Sequence, residues 1–169
     1  MKVTSHSRQD TIKFGRIIAR YLKPEDILCL FGELGAGKTV LVKGIADGLG
    51  IDKKQVVSPS FILLRIHEKA RLPLYHFDLY RMSSPEAIAC AGFEEYLCAE
   101  GVCVIEWAER MKYLLPREFL KIELLVNGKN SRLLKFSAFG ERYKKLLRQI
   151  YEPRPSSKDR VHNMEGRAG

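Results

Sequence analysis

The stretch LCLFGELGAGKTVLVKGIADGLG, residues 28–50, decides the fold of this chain. It begins with an apolar run of the kind that is buried on both faces in a parallel sheet, and an apolar repeat typical of a helix follows from Lys38. Between them lies a glycine-rich loop that matches the pattern G-x-x-x-x-G-K-[ST] with Gly32, Gly37, Lys38 and Thr39. Strand, loop and helix in this order are the context that the pattern requires. The stretch therefore predicts a binding site for the phosphates of a nucleotide.

The residue types in the loop suit a polyphosphate. Gly32, Gly35 and Gly37 let backbone N–H groups approach the phosphate oxygens closely, because no side chain blocks that approach. The helix that follows adds the positive end of its dipole. Lys38 is then expected to reach the β and γ phosphates, and the hydroxyl of Thr39 is expected to bind Mg²⁺.

Two acidic residues are candidates for completing a magnesium site. Glu106 ends the apolar run VCVIEW, and Asp78 lies near the end of the apolar run LYHFDLY. One carboxylate would orient the metal ion's ligands, and the other would position or activate water for attack on the γ phosphate. The residues alone leave open which of the two contacts the ion.

Ser58 and Ser60 flank Pro59 in the segment VVSPSF, between the loop helix and the next predicted strand. Phosphate-binding-loop proteins often place a segment that senses the γ phosphate at this point of the chain. A serine-proline-serine sequence is equally consistent with a simple turn. We treat both serines as candidate switch-like residues.

The nucleotide is expected to be ATP and not GTP. GTPases of the usual type carry an N-K-x-D sequence that recognises guanine and a D-x-x-G switch. The sequence NGKN at 127–130 lacks the aspartate, and Asp78 is followed by Leu-Tyr-Arg. The sequence therefore favours ATP.

The composition indicates one globular domain with a short tail. The chain has 169 residues, of which 46% are hydrophobic and 29% are charged, and this length suffices for one domain with a core but not for two ordinary domains. We expect the domain to span residues 1–152 and the basic segment 153–169 to be a disordered tail. The formal net charge of +9 favours an anionic partner such as a nucleotide or RNA.

No membrane association is expected. No apolar run approaches the roughly 20 residues that cross a bilayer, and the first residues lack the apolar middle of a secretory signal. We therefore expect a cytoplasmic protein. The cysteines form no C-x-x-C pair and lie in apolar-rich segments, so they are predicted to be small buried residues: Cys29, Cys90, Cys98 and Cys103.

The rest of the sequence alternates helix and strand signals. The predicted elements are a helix over 11–22 capped by Asp10, paired strands over 61–66 and 74–80, a helix from a Ser83 to Glu86 capping box to residue 97, a strand over 102–107, a hairpin of 120–126 with 132–139, and a helix over 141–152. This order predicts an α/β fold: a three-layer P-loop NTPase-like sandwich with a mixed, mostly parallel central sheet.

Four segments together resemble one protein family. GELGAGKT, SPSF, HFDLYR and IEW occur in this order at spacings similar to those of the TsaE family, also called YjeE, the P-loop ATPases of bacterial tRNA threonylcarbamoyladenosine synthesis. The resemblance covers residues 10–139. It departs from the family at Glu33, where aspartate is usual, and at Ser60, where threonine is usual; both changes keep the chemical group.

The resemblance implies an ATPase that acts with the TsaD and TsaB proteins. Those proteins transfer the threonylcarbamoyl group to tRNA, and the ATPase resets or regulates their complex, so the chain would meet tRNA through that complex. By position, Thr39 and Glu106 would bind Mg²⁺, Asp78 would be needed for hydrolysis, and Trp107 would lie near the site. The family pattern assigns nucleotide contacts to Gly35, Ala36, Gly37, Lys38, Thr39, Val40 and Arg132, and at the start of the first helix to Arg8 or a neighbour.

Two alternatives stay open on the sequence. P-loop folds of this size include small-molecule kinases, although no arginine-rich lid insertion is visible here. The chain could also be a nucleotide-binding module that does not hydrolyse its ligand. If it is an ATPase, slow turnover without its partners is expected, because such proteins often need a completed site or a supplied arginine.

Overall fold

The computed structural model describes residues 1–97 and 99–152. The predicted tail over 153–169 and Cys98 lie outside the described residues. The elements in chain order are β1 (Lys2–Ser5), α1 (Arg8–Ala19), β2 (Ile27–Phe31), α2 (Lys38–Leu49), β3 (Leu64–His67), β4 (Leu74–Asp78), α3 (Pro85–Cys90), α4 (Glu94–Leu97), β5 (Val102–Glu106), a 3₁₀ segment (Ala108–Leu114), β6 (Phe119–Val126), β7 (Arg132–Phe139) and α5 (Glu141–Tyr151).

The strands form one mixed sheet in the order β1-β7-β6-β2-β5-β4-β3. The four central strands run parallel, since β2 pairs in parallel with both β6 and β5, and β5 pairs in parallel with β4. The outer pairs are antiparallel, including the predicted β6–β7 hairpin and the predicted pairing of β3 with β4. The expected mixed sheet with a parallel centre is confirmed.

Helices cover both faces of the sheet, as the three-layer prediction requires. Because side chains alternate along a strand, Leu28 and Leu30 of β2 join a core under α1, α2 and α5. Ile27 and Cys29 face the opposite side and pack with Ile88 of α3 and with the 3₁₀ segment. The two cores are buried by different helices, and the phosphate-binding loop lies where β2 passes into α2.

Close packing of α1 against α2 places the start of α1 beside the loop. A Cβ added at Gly44 would lie 2.3 Å from the carbonyl oxygen of Ile12, and one added at Gly15 would lie 2.6 Å from that of Leu41. No larger residue fits at either glycine without moving backbone. The two helices therefore touch backbone to backbone, which fixes Arg8 at the head of α1 near the loop.

Two predicted elements differ from the structure at their starts. Helix α1 is capped by Ser7, whose Oγ accepts from the backbone N–H of Asp10 at 3.0 Å, so the prediction that Asp10 is the cap is wrong. The cap of α3 is Ser84 and not Ser83, with Pro85 at its first position. In each case neighbouring polar residues compete for the cap, and the backbone angles decide between them.

Further differences concern the extent of two elements, an edge strand and one cysteine. The predicted helix to residue 97 is divided into α3 and α4, with Gly92 at a positive φ of 69° between them, and β3 begins only at Leu64 because the residues before it form turns. Strand β1 was not predicted, since its KVTS sequence is short and pairs with the distant residues of β7. Cys29 and Cys103 are buried as expected, whereas Cys90 is exposed.

Candidate nucleotide-binding and catalytic site

The glycine loop ends at an open helix start. Gly35 and Gly37 have positive φ angles of 79° and 101°, which other residues adopt only with strain. Gly37 is the N-cap of α2, and no side chain caps this helix. The N–H groups of the first turn are therefore available to an anion, which is how helix starts bind phosphate.

Lys38 is held against the loop and an aromatic ring. Its Nζ donates to the carbonyl oxygens of Gly32 and Glu33, the latter at 3.1 Å. The same ammonium lies 3.6 Å from the ring centroid of Trp107. Burial lowers the pKa of Lys38 from its ordinary value, while the negative charges of Glu106, Glu109 and Asp78, in that order, oppose this shift. The cation is placed at the loop before any phosphate binds.

The two predicted acids lie side by side at the carboxyl edge of the sheet. Asp78 ends β4 and Glu106 ends β5, and these residues are paired in the parallel register. Both are buried, with 4% and 2% of their surface exposed. Thr39 Oγ1 donates to Glu106 Oε2 at 2.9 Å. A hydroxyl and a carboxylate in contact provide the oxygen ligands that Mg²⁺ prefers.

Asp78 is held by the segment that contains the candidate switch residues. The hydroxyl of Ser58 donates to Asp78 Oδ2, and the backbone N–H of Tyr80 donates to Oδ1 at 3.0 Å. Ser60 lines the same cavity as Asp78. The two carboxylates therefore have different partners, since Glu106 contacts the loop helix and Asp78 contacts the segment after it.

Trp107 has an uncommon backbone conformation. Its φ of 60° and ψ of 40° lie in the left-handed region, where bulky residues are rarely found. The ring contacts Lys38 on one side and packs against Tyr80, with 5.0 Å between the two ring centroids. This rare conformation directly after Glu106 places the Trp107 ring between Lys38 and Tyr80.

His76 is a site residue that the sequence analysis missed. Its Nε2 lies 2.8 Å from Glu106 Oε1, and the side chain is fully buried. The available signal was the alternation of a strand, because His76 precedes Asp78 by two residues and therefore faces the same side of β4.

Two cavities meet over the glycine loop and form one groove, because both are lined by Gly35, Gly37 and Val40. The larger, of about 400 Å³, is lined by Leu34, Gly35, Gly37, Lys38, Thr39, Val40, Ser58, Ser60, Asp78, Tyr80, Glu106 and Trp107. The smaller, of about 180 Å³, is lined by Ser7, Arg8, Thr11, Gly35, Gly37, Val40, Lys129, Asn130 and Arg132. We call the larger the acidic end of the groove and the smaller the basic end.

Both predicted arginines lie at the basic end. Arg132 Nε donates to the carbonyl oxygen of Ala36 at 3.1 Å, and its Nη2 donates to that of Gly35 at 3.3 Å. Arg132 thus contacts the loop backbone directly, and Arg8 lines the cavity from α1. Glu33 contributes its carbonyl oxygen to Lys38, but the residue lines neither cavity.

Lys129 and Asn130 also line the basic end and were not predicted as site residues. They belong to the NGKN turn between β6 and β7, whose missing aspartate argues against GTP. Their closeness to Arg132 in sequence was the signal that could have found them.

The described helices include none that is long and apolar enough to cross a membrane. This finding agrees with the absence of long apolar runs from the sequence.

Comparisons with known proteins identify the family. The model of the family described as "Threonylcarbamoyl adenosine biosynthesis protein TsaE" matches residues 5–134. Among similar proteins, the "tRNA threonylcarbamoyladenosine biosynthesis protein TsaE" of Bacillus subtilis is 39% identical over 142 residues, covering 84% of this chain and 88% of that protein. The protein of the same name from Treponema pallidum is 42% identical over 132 residues, covering 78% and 96% respectively.

A solved structure agrees with this assignment. The crystal structure of YdiB from Bacillus subtilis superposes with a TM-score of 0.76 at 36% sequence identity, covering 89% of this chain and 93% of that chain. In all three comparisons the match covers most of this chain and most of the other protein. The chain belongs to the TsaE family.

Proposed function

We propose that this chain is a Mg²⁺-dependent ATPase that acts in the synthesis of threonylcarbamoyladenosine in tRNA. The observation that carries the proposal is the contact of Thr39 Oγ1 with Glu106 Oε2, at the start of a helix whose N–H groups are free for phosphate. The names of the relatives supply the pathway. Because the pathway acts on tRNA, the protein is assigned to the cytoplasm.

The residues at the acidic end fit a magnesium ion. Among residues 1–97 and 99–152, no three His, Cys, Asp or Glu side chains form a metal-binding group of their own. This agrees with Mg²⁺, which usually binds through one or two protein ligands together with substrate phosphates. Thr39 and Glu106 would hold the ion, which would neutralise charge on the β and γ phosphate oxygens.

Asp78 is proposed to orient the attacking water. Its carboxylate is adjacent to Glu106 but accepts hydrogen bonds from the Ser58 hydroxyl and the backbone N–H of Tyr80, whereas Thr39 donates to Glu106. This supports separate roles, in which Glu106 binds the metal ion and Asp78 orients the water. Lys38 would leave its carbonyl contacts to bind phosphate oxygen, and Trp107 would limit where the ammonium can move.

The basic end is proposed to bind the nucleoside of ATP. It continues the groove from the glycine loop, as the phosphate chain requires, and its lining residues offer hydrogen-bond donors from three parts of the chain. The guanine-recognition sequence is absent from the turn that lines it. These features favour ATP.

The partners are proposed to be TsaD and TsaB, with tRNA reached through their complex. Large apolar side chains are exposed on the segments that contribute residues to the acidic end, where a protein partner could cover them. They are Leu34 at 75%, Val57 at 46%, Phe61 at 81%, Ile62 at 58% and Tyr80 at 41% exposure. A partner docked here would close the groove over the γ phosphate and raise turnover.

The proposal is tested by ATP hydrolysis and by tRNA modification in a reconstituted system with TsaD and TsaB. We expect slow hydrolysis by the chain alone, faster hydrolysis with both partners, and loss of repeated modification cycles in Lys38→Ala and Glu106→Ala. Lys43→Ala is the matched control, since Lys43 lies on α2 but lines neither cavity of the groove.

Two outcomes would contradict the proposal. Normal modification over many turnovers with Glu106→Ala would remove the assigned role of the site. Transfer of labelled phosphate from ATP to a metabolite, without release of free phosphate, would instead favour the small-molecule kinase that the sequence left open.

A further inference from the structure

His76 is a buried polar residue that neither binds the nucleotide nor orients water in the proposed mechanism. The side chain is 0% exposed and lies on the core face of β4. Its Nε2 is 2.8 Å from Glu106 Oε1. The residue two positions earlier on the same face is Leu74, which is also fully buried and is apolar. Packing alone would favour another apolar residue at position 76.

The carboxylate of Glu106 is held at both oxygens. His76 contacts Oε1, and Thr39 donates to Oε2. A carboxylate oxygen only accepts hydrogen bonds, so His76 donates from Nε2. With Oε1 bound to a rigid buried ring, Oε2 stays directed toward Thr39 and the loop helix.

Within the described residues, the imidazole of His76 has no second hydrogen bond that would explain its burial. Its Nδ1 has no hydrogen-bond partner within the described part of the chain. The same is true of Arg65 Nε and His67 Nε2 on β3, the strand that pairs with β4. Burying a polar atom without a partner costs stability. The hydrogen bond between His76 Nε2 and Glu106 Oε1 offsets this cost in stability.

We infer that His76 is a positioning residue that fixes the Glu106 carboxylate in the orientation that binds Mg²⁺. The inference rests on the proposed function, in which Glu106 is a ligand of that ion. Carboxylates that bind a metal ion are commonly held by a hydrogen bond from a neighbouring group, and loss of such a partner typically weakens metal binding or activity by about 10- to 100-fold.

The test measures the affinity of the full chain for a fluorescent non-hydrolysable ATP analogue, first in EDTA and then across a Mg²⁺ titration. In His76→Leu we expect unchanged affinity for the analogue in EDTA. The Mg²⁺ concentration that produces half of the metal-dependent increase in affinity should rise about tenfold. His76→Gln should restore much of the loss, since its amide can donate from a similar reach. The matched control is His67→Leu, because His67 is a neighbouring histidine that does not contact Glu106.

The Glu106→Gln background separates positioning from general packing. If His76 acts through Glu106, adding His76→Leu to Glu106→Gln should cause no further loss of Mg²⁺ dependence. Equal losses in both backgrounds, a parallel loss of affinity in EDTA, or failure of His76→Gln to rescue would each overturn the inference.

Failure of the proposed function would look different. If wild type and Glu106→Gln show the same Mg²⁺ dependence, Glu106 is not a metal ligand, and both the proposal and the inference are overturned. If Glu106→Gln loses the dependence while His76→Leu behaves as wild type, only the inference about His76 is overturned.

Discussion

The two ends of the groove differ in how their side chains are held. At the acidic end, Asp78 and Glu106 are buried and each accepts a hydrogen bond from a side chain of another segment. At the basic end, Arg8 and Lys129 are exposed, and within the described residues the hydrogen bonds of Arg132 all go to backbone carbonyl oxygens. Buried groups with defined partners are preorganised for chemistry, whereas exposed groups can adjust to a ligand. Asp78 at the acidic end should therefore control turnover, and Arg132 at the basic end should control Mg²⁺-independent affinity for the nucleotide.

The largest effect is expected from Asp78→Asn. The variant keeps the size of the side chain but removes the charge that would orient water, so hydrolysis should fall by about 100-fold or more, while affinity for ATP should change little. Steady-state hydrolysis and nucleotide titration measure the two quantities. Asp52→Asn is the control, since Asp52 lies outside the groove and contacts the backbone of Lys54. A large loss of affinity in Asp78→Asn would contradict the division between the two ends.

Gly44→Ala should disturb the basic end through the fold. The added Cβ would meet the carbonyl oxygen of Ile12, so α1 must move away from α2. Overpacking of this kind costs about 1–3 kcal/mol of the free energy of unfolding. Urea denaturation measures that cost, and nucleotide titration should show weaker binding because Arg8 moves with α1. Unchanged stability would show that the helices can separate without cost.

Arg132→Ala should weaken nucleotide binding without changing turnover of the bound nucleotide. Loss of its contacts with Gly35 and Ala36 loosens the loop backbone that would hold the phosphates. Hydrogen bonds from a charged donor contribute about 1.5–3 kcal/mol to stability, so the loop should be less well ordered for binding and nucleotide affinity should fall. The effect should be equal for ATP and ADP and should appear in KM and not in kcat.

The matched control for this variant is Arg71→Ala. Arg71 also donates to two backbone carbonyl oxygens, those of Ala19 and Leu22, but lies away from the groove. It should lower stability and leave nucleotide affinity unchanged. A fall in kcat for Arg132→Ala would show that the basic end takes part in turnover.

The smallest effect is expected from His67→Gln, on β3 outside the groove. Burial, followed by the nearby His76 and Arg65, lowers the pKa of His67 from its ordinary value of 6.5. His67 is therefore protonated more readily in the unfolded chain than in the folded chain. Because of this difference, His67 makes the free energy of unfolding fall as the pH drops below about 6.5. In His67→Gln that part of the pH dependence should be absent from urea denaturation curves recorded between neutral and mildly acidic pH. An identical pH dependence in both proteins would contradict this assignment.

The sequence predicted the site better where local spacing was informative. Gly35, Gly37, Lys38 and Thr39 lie close together along the chain, and the structure places these four residues in the groove, whereas Gly32 and Ala36 line neither cavity. Asp78 and Glu106 were found because each ends an apolar strand, and parallel strands bring such ends to one edge of the sheet. His76 and the turn residues Lys129 and Asn130 were missed, since their roles depend on which strands become neighbours.

Helix caps and the edge strand show the same limit. Ser7 and Asp10 are both good capping residues, and only the backbone angles of the folded chain select Ser7. Strand β1 has no strong pattern of its own and forms because residues 132–135 offer it a free edge. Local propensity alone could not decide either feature.

By itself the sequence determined that this chain has an α/β fold with a phosphate-binding loop and two acids at strand ends, because spacing and alternation along the chain encode those features. Tertiary structure alone decided that Glu106 contacts Thr39 and His76 while Asp78 contacts Ser58. The physical reason is that hydrogen bonds between distant segments depend on strand order and register. Those are set by burial of the two apolar cores and not by any one segment.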